Sequence, residues 1–366
     1  MQRHLGMDFG RAFAITLVTG YHVWRFVGSP HLIVGGIDLY SPFASGFVGV
    51  DLFFVISGCA MMMTWQSRNQ DKWMFWRARL LRIYPAYATA VLVWVAFVQL
   101  GLFSRSAGIY DVLMHLLLIH TFDPNTFFSV SGVFWSLAVE AHFYLVFPFL
   151  VLLSRRVRWA IVIASLVYTS AIAWWLGDSS DPILFVAKWN MIGFLPLFAL
   201  GMELHSLKRT PMIIACSLAA LCVALILMFN QPSSHDMPGR MLIGGGLGVF
   251  CLVAIPASTA NTLITAAIKT IAVASYSIYL HNYIFYLFQT PVVHGMTGIA
   301  VYGAIVFSFG FFMWWAIERK AETLRHVGKR TTQITGRDNN DRPRTSLVNL
   351  TPTELARQSE TTREII

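Results

Sequence analysis

The sequence predicts an all-α, polytopic integral membrane protein of about ten spanning helices, with both termini in the cytoplasm. Of its 366 residues, 56% are hydrophobic and only 12% are charged, and the mean hydropathy is +0.60. Soluble domains carry about 25% charged residues. Apolar runs of the length that crosses a hydrocarbon core, about 20 residues, recur along most of the chain. These observations exclude a soluble globular fold.

The first of these runs is expected to be retained as a spanning helix, because its basic flank is weak and no small-residue cleavage site follows it. A shorter run, Tyr110 to Phe122, contains His115 and His120, so we expect an interfacial or re-entrant segment there. It would raise the number of membrane segments from ten to eleven. The ten long runs occupy residues 9–27, 47–65, 80–102, 133–153, 159–177, 188–206, 212–230, 241–258, 271–289 and 297–317.

The basic residues between the runs support this topology, because Lys and Arg concentrate in the cytoplasmic loops of membrane proteins. With the N-terminus inside, the outer loops carry only Arg105, Lys188 and Arg240, apart from Arg25 at the outer end of the first run. The net charge of +9 therefore follows from topology, and no nucleic-acid partner is expected. The inner loops carry Arg68, Lys72, Arg77, Arg79, Arg155, Arg156, Arg158, Lys208, Arg209 and Lys269.

The composition changes from Arg319 onward to charged and small polar residues. We therefore divide the chain into a transmembrane domain, residues 1–320, and a basic and polar cytoplasmic tail, residues 321–366, that is largely disordered. The cysteines lie within apolar runs and lack metal-ligand spacing, so no metal site is expected. They are Cys59, Cys216, Cys222 and Cys251.

The first run carries two ionisable residues, Arg11 and His22, on nearly the same helical face, about three turns apart. An ionisable residue within a spanning helix is costly and is a functional hypothesis by default. On this stretch alone, a histidine that only bonds to a neighbouring helix is the structural alternative.

Two carboxylates are expected at the depth of His22, since helical rise places Asp51 roughly 8 Å and Glu140 roughly 10 Å below the outer surface. A buried carboxylate can hold one tautomer of a catalytic histidine and stabilise its cation. For Asp51 the alternative is exposure to outer water. Ser136, Glu140 and Tyr144 follow at four-residue steps along one face.

A basic cluster, Arg77, Arg79 and Arg82 followed by Tyr84, begins the third run. Guanidinium groups suit phosphates through forked donors and permanent charge. The alternative is a cytoplasmic anchor of the kind that the positive-inside rule describes. In the ninth run, His281 is expected near mid-membrane, and functional and helix-bridging roles are both open for it.

These stretches together resemble the acyltransferase 3 family, membrane enzymes that modify bacterial surface sugars. The resemblance covers roughly residues 6–320. Two departures occur: His281 directly follows Tyr279-Leu280, with Asn282 where the family often has histidine, and the late motif is only partly present as Ile317-Glu318-Arg319-Lys320. The matching motifs are Asp8-x-x-Arg11 followed by His22; Gly49-Val-Asp-Leu-Phe-Phe-Val-Ile-Ser-Gly58; Arg79-x-x-Arg82-Ile-Tyr-Pro85; and Trp135-Ser-Leu-x-x-Glu140-x-x-Phe143-Tyr144.

The resemblance implies a multi-pass enzyme of the bacterial inner membrane that transfers an acyl group, commonly acetyl, from cytoplasmic acyl-CoA to a sugar hydroxyl. The acceptor would be an exopolysaccharide, a lipopolysaccharide or a lipid-linked precursor. It also implies that His22 is the catalytic histidine and that Arg79 and Arg82 serve acetyl-CoA, a cosubstrate. No permanently bound cofactor is expected.

From this we expect Asp51 or Glu140 to orient His22, and Arg77 and Tyr84 to join the acyl-CoA site. The bilayer, acyl-CoA, a glycan acceptor and polysaccharide export or polymerisation machinery are the expected partners. We expect a single-module enzyme without an appended soluble esterase-like domain. The pocket is expected to include Arg11, Trp135, Ser136, Tyr144, Ser275, Tyr279 and His281.

Other functions remain open at this point. A proton-coupled glycan or lipid transporter would use intramembrane His and Glu as a proton relay. Acylation of a small-molecule or antibiotic acceptor is a variant of the enzyme hypothesis. A structural subunit of an export complex does not by itself explain the arginine pair.

Overall fold

The computed structural model describes residues 4–68, 70–105, 107–176, 181–230, 237–256 and 262–320. The predicted tail, residues 321–366, lies outside the described residues. A short antiparallel hairpin, β1 (Ile33–Val34) and β2 (Ile37–Asp38), follows the first helix. The α-helices of the described ranges are α1 Leu5–Phe26, α2 Ser41–Ala44, α3 Gly49–Gln66, α4 Lys72–Gln99, α5 Ile109–Leu116, α6 Trp135–Leu150, α7 Arg155–Leu176, α8 Pro182–Lys188, α9 Met191–Leu204, α10 Pro211–Asn230, α11 Met237–Val249, α12 Leu263–Leu280 and α13 Gly295–Met313.

Within the described residues, eight helical segments are long and apolar enough to cross a membrane. The two remaining predicted spans correspond to α1, which has 22 residues but carries three charged ones, and to α6, which has 16 residues. The prediction of a polytopic α-helical membrane protein is confirmed. The eight segments are Gly46–Gln66, Lys72–Gln99, Arg155–Trp175, Phe185–Leu204, Pro211–Asn230, Met237–Ala254, Leu263–Leu280 and Gly295–Glu318.

The ninth span is displaced from its predicted position. Helix α12 begins at Leu263 because Thr262 caps it, its hydroxyl accepting from the backbone N–H of Thr265. It ends at Leu280, and a 3₁₀ turn, Ile284–Phe288, follows. The predicted run 271–289 therefore joins part of one helix to a separate turn, and His281 lies at the end of α12 instead of in its middle.

The short run between α4 and α6 forms α5 and the 3₁₀ turn His120–Phe122, which are too short to cross the membrane. The rings of His115 and His120 stack at 3.9 Å between centroids, and both side chains are fully buried. Burial lowers the pKa of His115 to about 4 and that of His120 well below its ordinary value. The two buried rings therefore pack against each other. An interfacial location for this segment stays a prediction.

Helix α3 is the centre of the packing and contacts α1, α6, α9 and α11. It approaches α9 closely because glycines face the other backbone on both sides. A Cβ atom added at Gly58 would collide with the carbonyl oxygen of Phe198, and one added at Gly201 would collide with that of Val55. The small-residue contact lets backbones meet where lipid supplies little hydrophobic driving force.

Gly201→Ala is expected to lower the melting temperature of the detergent-purified protein, because the new methyl group has to push α9 away from α3. Gly303→Ala in α13 is the matched control, since nothing lies within 4 Å of its added Cβ. Alanine is favoured over glycine in a helix by about 1 kcal/mol, so this control is expected to keep or raise the melting temperature. Equal melting temperatures for the two variants would contradict the close contact.

Candidate functional site

A cavity among α1, α3, α4, α6 and α12 contains Glu140 and is called the Glu140 cavity below. The volume of this cavity is about 80 Å³. Of the predicted site residues, the structure brings eight together here: Arg11, Arg79, Arg82, Ser136, Glu140, Tyr144, Ser275 and Tyr279.

The carboxylate of Glu140 is held by two hydroxyl groups. One of its oxygens, Oε1, accepts hydrogen bonds from Ser57 Oγ on α3 and from Tyr144 Oη at 2.5 Å. Tyr144 reaches it because residues four apart lie one turn apart on the same helix face. A carboxylate that accepts from a hydroxyl is placed to take up that proton, as a general base does.

Three guanidinium groups face this single carboxylate. Arg79 is buried, and its Nη2 donates to the carbonyl of Ala60 and to Thr64 Oγ1 at 2.5 Å, so α3 holds the side chain in position. Arg82 is exposed, and Arg11 lies 3.8 Å from Asp8. The lining of the Glu140 cavity thus has an excess of positive charge, which suits phosphate groups.

Two residues predicted to bind the donor do not line this cavity. Arg77 is exposed, and a two-residue step turns it about 200° around α4 from Arg79. Tyr84 donates its hydroxyl to the carbonyl of Leu116 at 3.2 Å and so ties α4 to α5. Arg77 and Tyr84 therefore do not join Arg79 and Arg82 in the lining of this cavity, and a role for them in donor binding stays a prediction.

The second cavity is called the His22 cavity. It is larger, with a volume of about 310 Å³. The imidazole of His22 packs edge-on against Tyr283, with 4.7 Å between centroids, and lies 5.1 Å from the ring of Tyr21. Arg11 and His22 therefore line different cavities although they lie on nearly the same face of α1. The lining is Val18, Tyr21, His22, Arg25, Phe47, Val50, Arg105, Phe128, Gly132, Val133, Trp135, Trp189, Arg240, Tyr279, Tyr283 and Tyr286.

The two cavities adjoin at Val50 and Tyr279, which line both. Tyr279 donates its hydroxyl to the carbonyl of Val133 at 2.9 Å, and its oxygen lies 2.5 Å from Ser136 Oγ. Ser136 Oγ also lies 3.4 Å from the carbonyl of Val133, so either hydroxyl of this pair can donate to the other. A pair of hydrogen-bonded hydroxyls thus separates the arginine-rich space from the imidazole.

The prediction that Asp51 orients His22 is wrong. Both oxygens of Asp51 are bound by Arg240, whose Nε lies 3.2 and 3.0 Å from them and whose Nη2 lies 2.8 Å from Oδ2. Both side chains are almost completely buried. Glu140 does not orient His22 either, because it lines the other cavity and bonds to Ser57 and Tyr144.

Arg240 lies within a helix and not in an outer loop, where the charge pattern placed it. Helix α11 begins at Met237, so Arg240 lies in its first turn, with its guanidinium 4.6 Å from the centre of the Trp189 ring. Gly244 brings α11 against Asp51, where a Cβ atom would collide. A lone arginine directly before an apolar run was the available signal.

His281 lies outside both cavities, so its predicted place in the pocket is wrong. Its Nδ1 donates to the carbonyl of Ser277 at 3.0 Å, and its ring packs against Phe309. The bridge between helices comes from its neighbour, since Asn282 Nδ2 donates to Thr19 Oγ1 on α1 at 2.7 Å.

Comparison with known proteins assigns the chain to a family. A family model described as an acyltransferase domain, that of acyltransferase 3, matches residues 4–318. The chain belongs to the acyltransferase 3 family. The family that the sequence motifs suggested is therefore confirmed, and the match covers both cavities. No solved structure matches the chain significantly.

Several curated relatives of this acyltransferase 3 protein carry names of related activities. A peptidoglycan O-acetyltransferase, OatA of Listeria monocytogenes, is 25% identical over 78% of this chain and 50% of its own length. A Bacillus subtilis protein provisionally named as a peptidoglycan O-acetyltransferase is 26% identical over 78% and 49%. The chain spans about half the length of these two relatives. A Komagataeibacter xylinus protein provisionally named as a membrane-bound transacylase is 27% identical over 77% and 72%.

Arg240→Gln is expected to destabilise the protein strongly, because it leaves the Asp51 charge buried and unpaired, at a cost of roughly 3–5 kcal/mol. Arg158→Gln, which removes a partly exposed pair with Glu203 at 3.3 Å, is the control and is expected to cost less than about 1 kcal/mol. The measurement is the melting temperature of purified protein. The double variant Asp51→Asn with Arg240→Gln is expected to recover part of the loss, and no recovery would argue that the pair itself is not the cause.

Proposed function

We propose that the protein is a membrane O-acyltransferase that moves an acyl group, most often acetyl, from cytoplasmic acyl-CoA to a hydroxyl of a polysaccharide or of its lipid-linked precursor in the bacterial inner membrane. Family membership supports the reaction class. The single observation that carries the proposal is that a cavity rich in arginine adjoins a cavity that contains an imidazole.

In this proposal the donor enters the Glu140 cavity. The exposed Arg82 meets the phosphate groups of acyl-CoA, and Arg11 adds a second positive charge in the lining. The small volume suits an extended chain that brings a thioester toward Tyr279 better than it suits a sugar ring. Arg79, held by Thr64 and Ala60, keeps the wall of this cavity positive without needing to move.

The acceptor occupies the His22 cavity. Its hydroxyl oxygen forms a bond to the thioester carbonyl carbon, while the carbon–sulfur bond breaks and the thiolate leaves. His22 takes the hydroxyl proton, which then passes to the thiolate. Transfer of the acyl group to His22 itself, followed by attack of the hydroxyl, is the alternative order of the same exchange. In place of a carboxylate, the rings of Tyr21 and Tyr283 hold the imidazole.

His22→Gln is expected to reduce acyl transfer by roughly 100-fold or more, because the hydroxyl then has no base. The assay follows label from radioactive acetyl-CoA onto glycan in proteoliposomes. Binding of acetyl-CoA is expected to stay unchanged, since His22 does not line the Glu140 cavity. Full transfer by the variant would refute the role of His22, and movement of unlabelled glycan without transfer would favour a transporter.

Arg82→Gln is expected to raise the KM for acetyl-CoA roughly tenfold, the effect of about 1.4 kcal/mol of lost phosphate binding. Arg77→Gln is the matched control, because it removes the same charge from the same helix but lies outside the cavity lining. Steady-state rates at varied acetyl-CoA provide the measurement. Equal increases for both variants would indicate a general effect of surface charge.

A further inference from the structure

The outer cations of the predicted topology are not scattered. The positive-inside rule leaves Arg25, Arg105, Lys188 and Arg240 as the exceptions outside the cytoplasmic loops. Three of these four, the arginines, line the His22 cavity although they come from α1, from the segment after α4 and from α11. Residues far apart in the sequence therefore bring positive charge to one cavity.

Among the described parts of the chain, a carboxylate neutralises one of these three arginines. Arg240 is paired with Asp51 through three hydrogen bonds. Arg25 donates to Tyr21 Oη at 3.1 Å, and Arg105 donates to the carbonyl of Phe128 at 3.3 Å, and both of these acceptors are uncharged. Among the residues that the structure describes, the lining of the cavity includes no aspartate or glutamate, so it presents two positive charges that a ligand can neutralise.

The rest of the lining is suited to a sugar ring. Indole and phenol side chains provide flat apolar faces with polar edges, a combination that packs against the faces of sugars and bonds to their hydroxyls. A volume of about 310 Å³ is at the lower end of the usual range for small-molecule sites. The tyrosine and tryptophan residues of the lining include Tyr21, Trp135, Trp189, Tyr283 and Tyr286.

We propose that the His22 cavity selects an acidic saccharide, one that carries a carboxylate or phosphate group near the hydroxyl that is acylated. This proposal rests on the proposed function and adds the class of acceptor. Guanidinium groups bind both kinds of anion through paired N–H donors. Arg25 and Arg105 are exposed, so their attraction acts at the mouth of the cavity and weakens with salt.

The test compares three oligosaccharides of equal length as acceptors: a neutral glucan, one bearing a uronate and one bearing a phosphate. The full chain in phosphatidylcholine proteoliposomes receives radioactive acetyl-CoA, and kcat/KM is measured for each acceptor. At least one acidic acceptor is expected to exceed the neutral one roughly tenfold, equivalent to about 1.4 kcal/mol. The preferred anion identifies its source as an acidic sugar or a phosphate-linked precursor.

Arg25→Gln and Arg105→Gln are expected to remove most of that preference by raising the KM for the acidic acceptor, with the KM for acetyl-CoA unchanged. Arg156→Gln, an exposed residue of α7 outside the lining, is the matched control and is expected to keep the preference. Equal use of neutral and acidic acceptors by the unaltered protein would overturn the proposal. So would an equal loss toward all three acceptors in both arginine variants.

Binding separates this proposal from the proposed function. If no acceptor becomes labelled, the affinities of the same three oligosaccharides for the detergent-purified protein are compared. Tighter binding of an acidic one supports the selection of anions and rejects the transferase, whereas equal binding rejects both. Loss of the preference in phosphatidylglycerol vesicles would assign the cavity to a lipid headgroup and overturn the saccharide proposal.

Discussion

The buried ion pair between Asp51 and Arg240 is the interaction on which the rest of the site depends. It joins the first turn of α3 to the first turn of α11 in surroundings where neither charge has water to solvate it. Because Arg240 binds both oxygens of Asp51, Asp51 does not orient His22. The same contact fixes Arg240 in the lining of the His22 cavity. The His22 cavity is therefore shaped by a structural pair and contains an imidazole, with no carboxylate among the lining residues that the structure describes.

The sequence predicted the helices well because apolar length decides them. It placed ten spans, and the structure has an α-helix in each of these positions. The boundary near Leu263 was missed, since a threonine cap allows a helix to begin in a stretch that appears too polar, and Arg240 lies within α11, where Asp51 binds it. His281 and Arg240 changed location for this reason, as helix ends are set by local hydrogen bonds that hydropathy does not register.

The grouping of the predicted site residues differs from the one that their depth in the membrane indicated. Depth along a helix placed Glu140 and His22 in one layer, but depth does not specify rotation about the helix axis or the partner that a side chain finds. Arg79, Arg82 and Glu140 do line the same cavity. Three-residue steps on α4 and four-residue steps on α6 keep the lining residues of each helix on one face. Asp51 and Tyr84 bind elsewhere, since Arg240 and Leu116 offered nearer partners.

The wall formed by Tyr279, Ser136 and Val50 has a consequence for the energetics of the membrane. A continuous water-filled passage across a bilayer conducts protons and dissipates the gradient that the cell maintains. Where the two cavities adjoin, the hydroxyls of Ser136 and Tyr279 instead bind each other and the carbonyl of Val133. In the proposed reaction, the acyl group passes between the two cavities at this contact, and the reaction requires no open water passage between them.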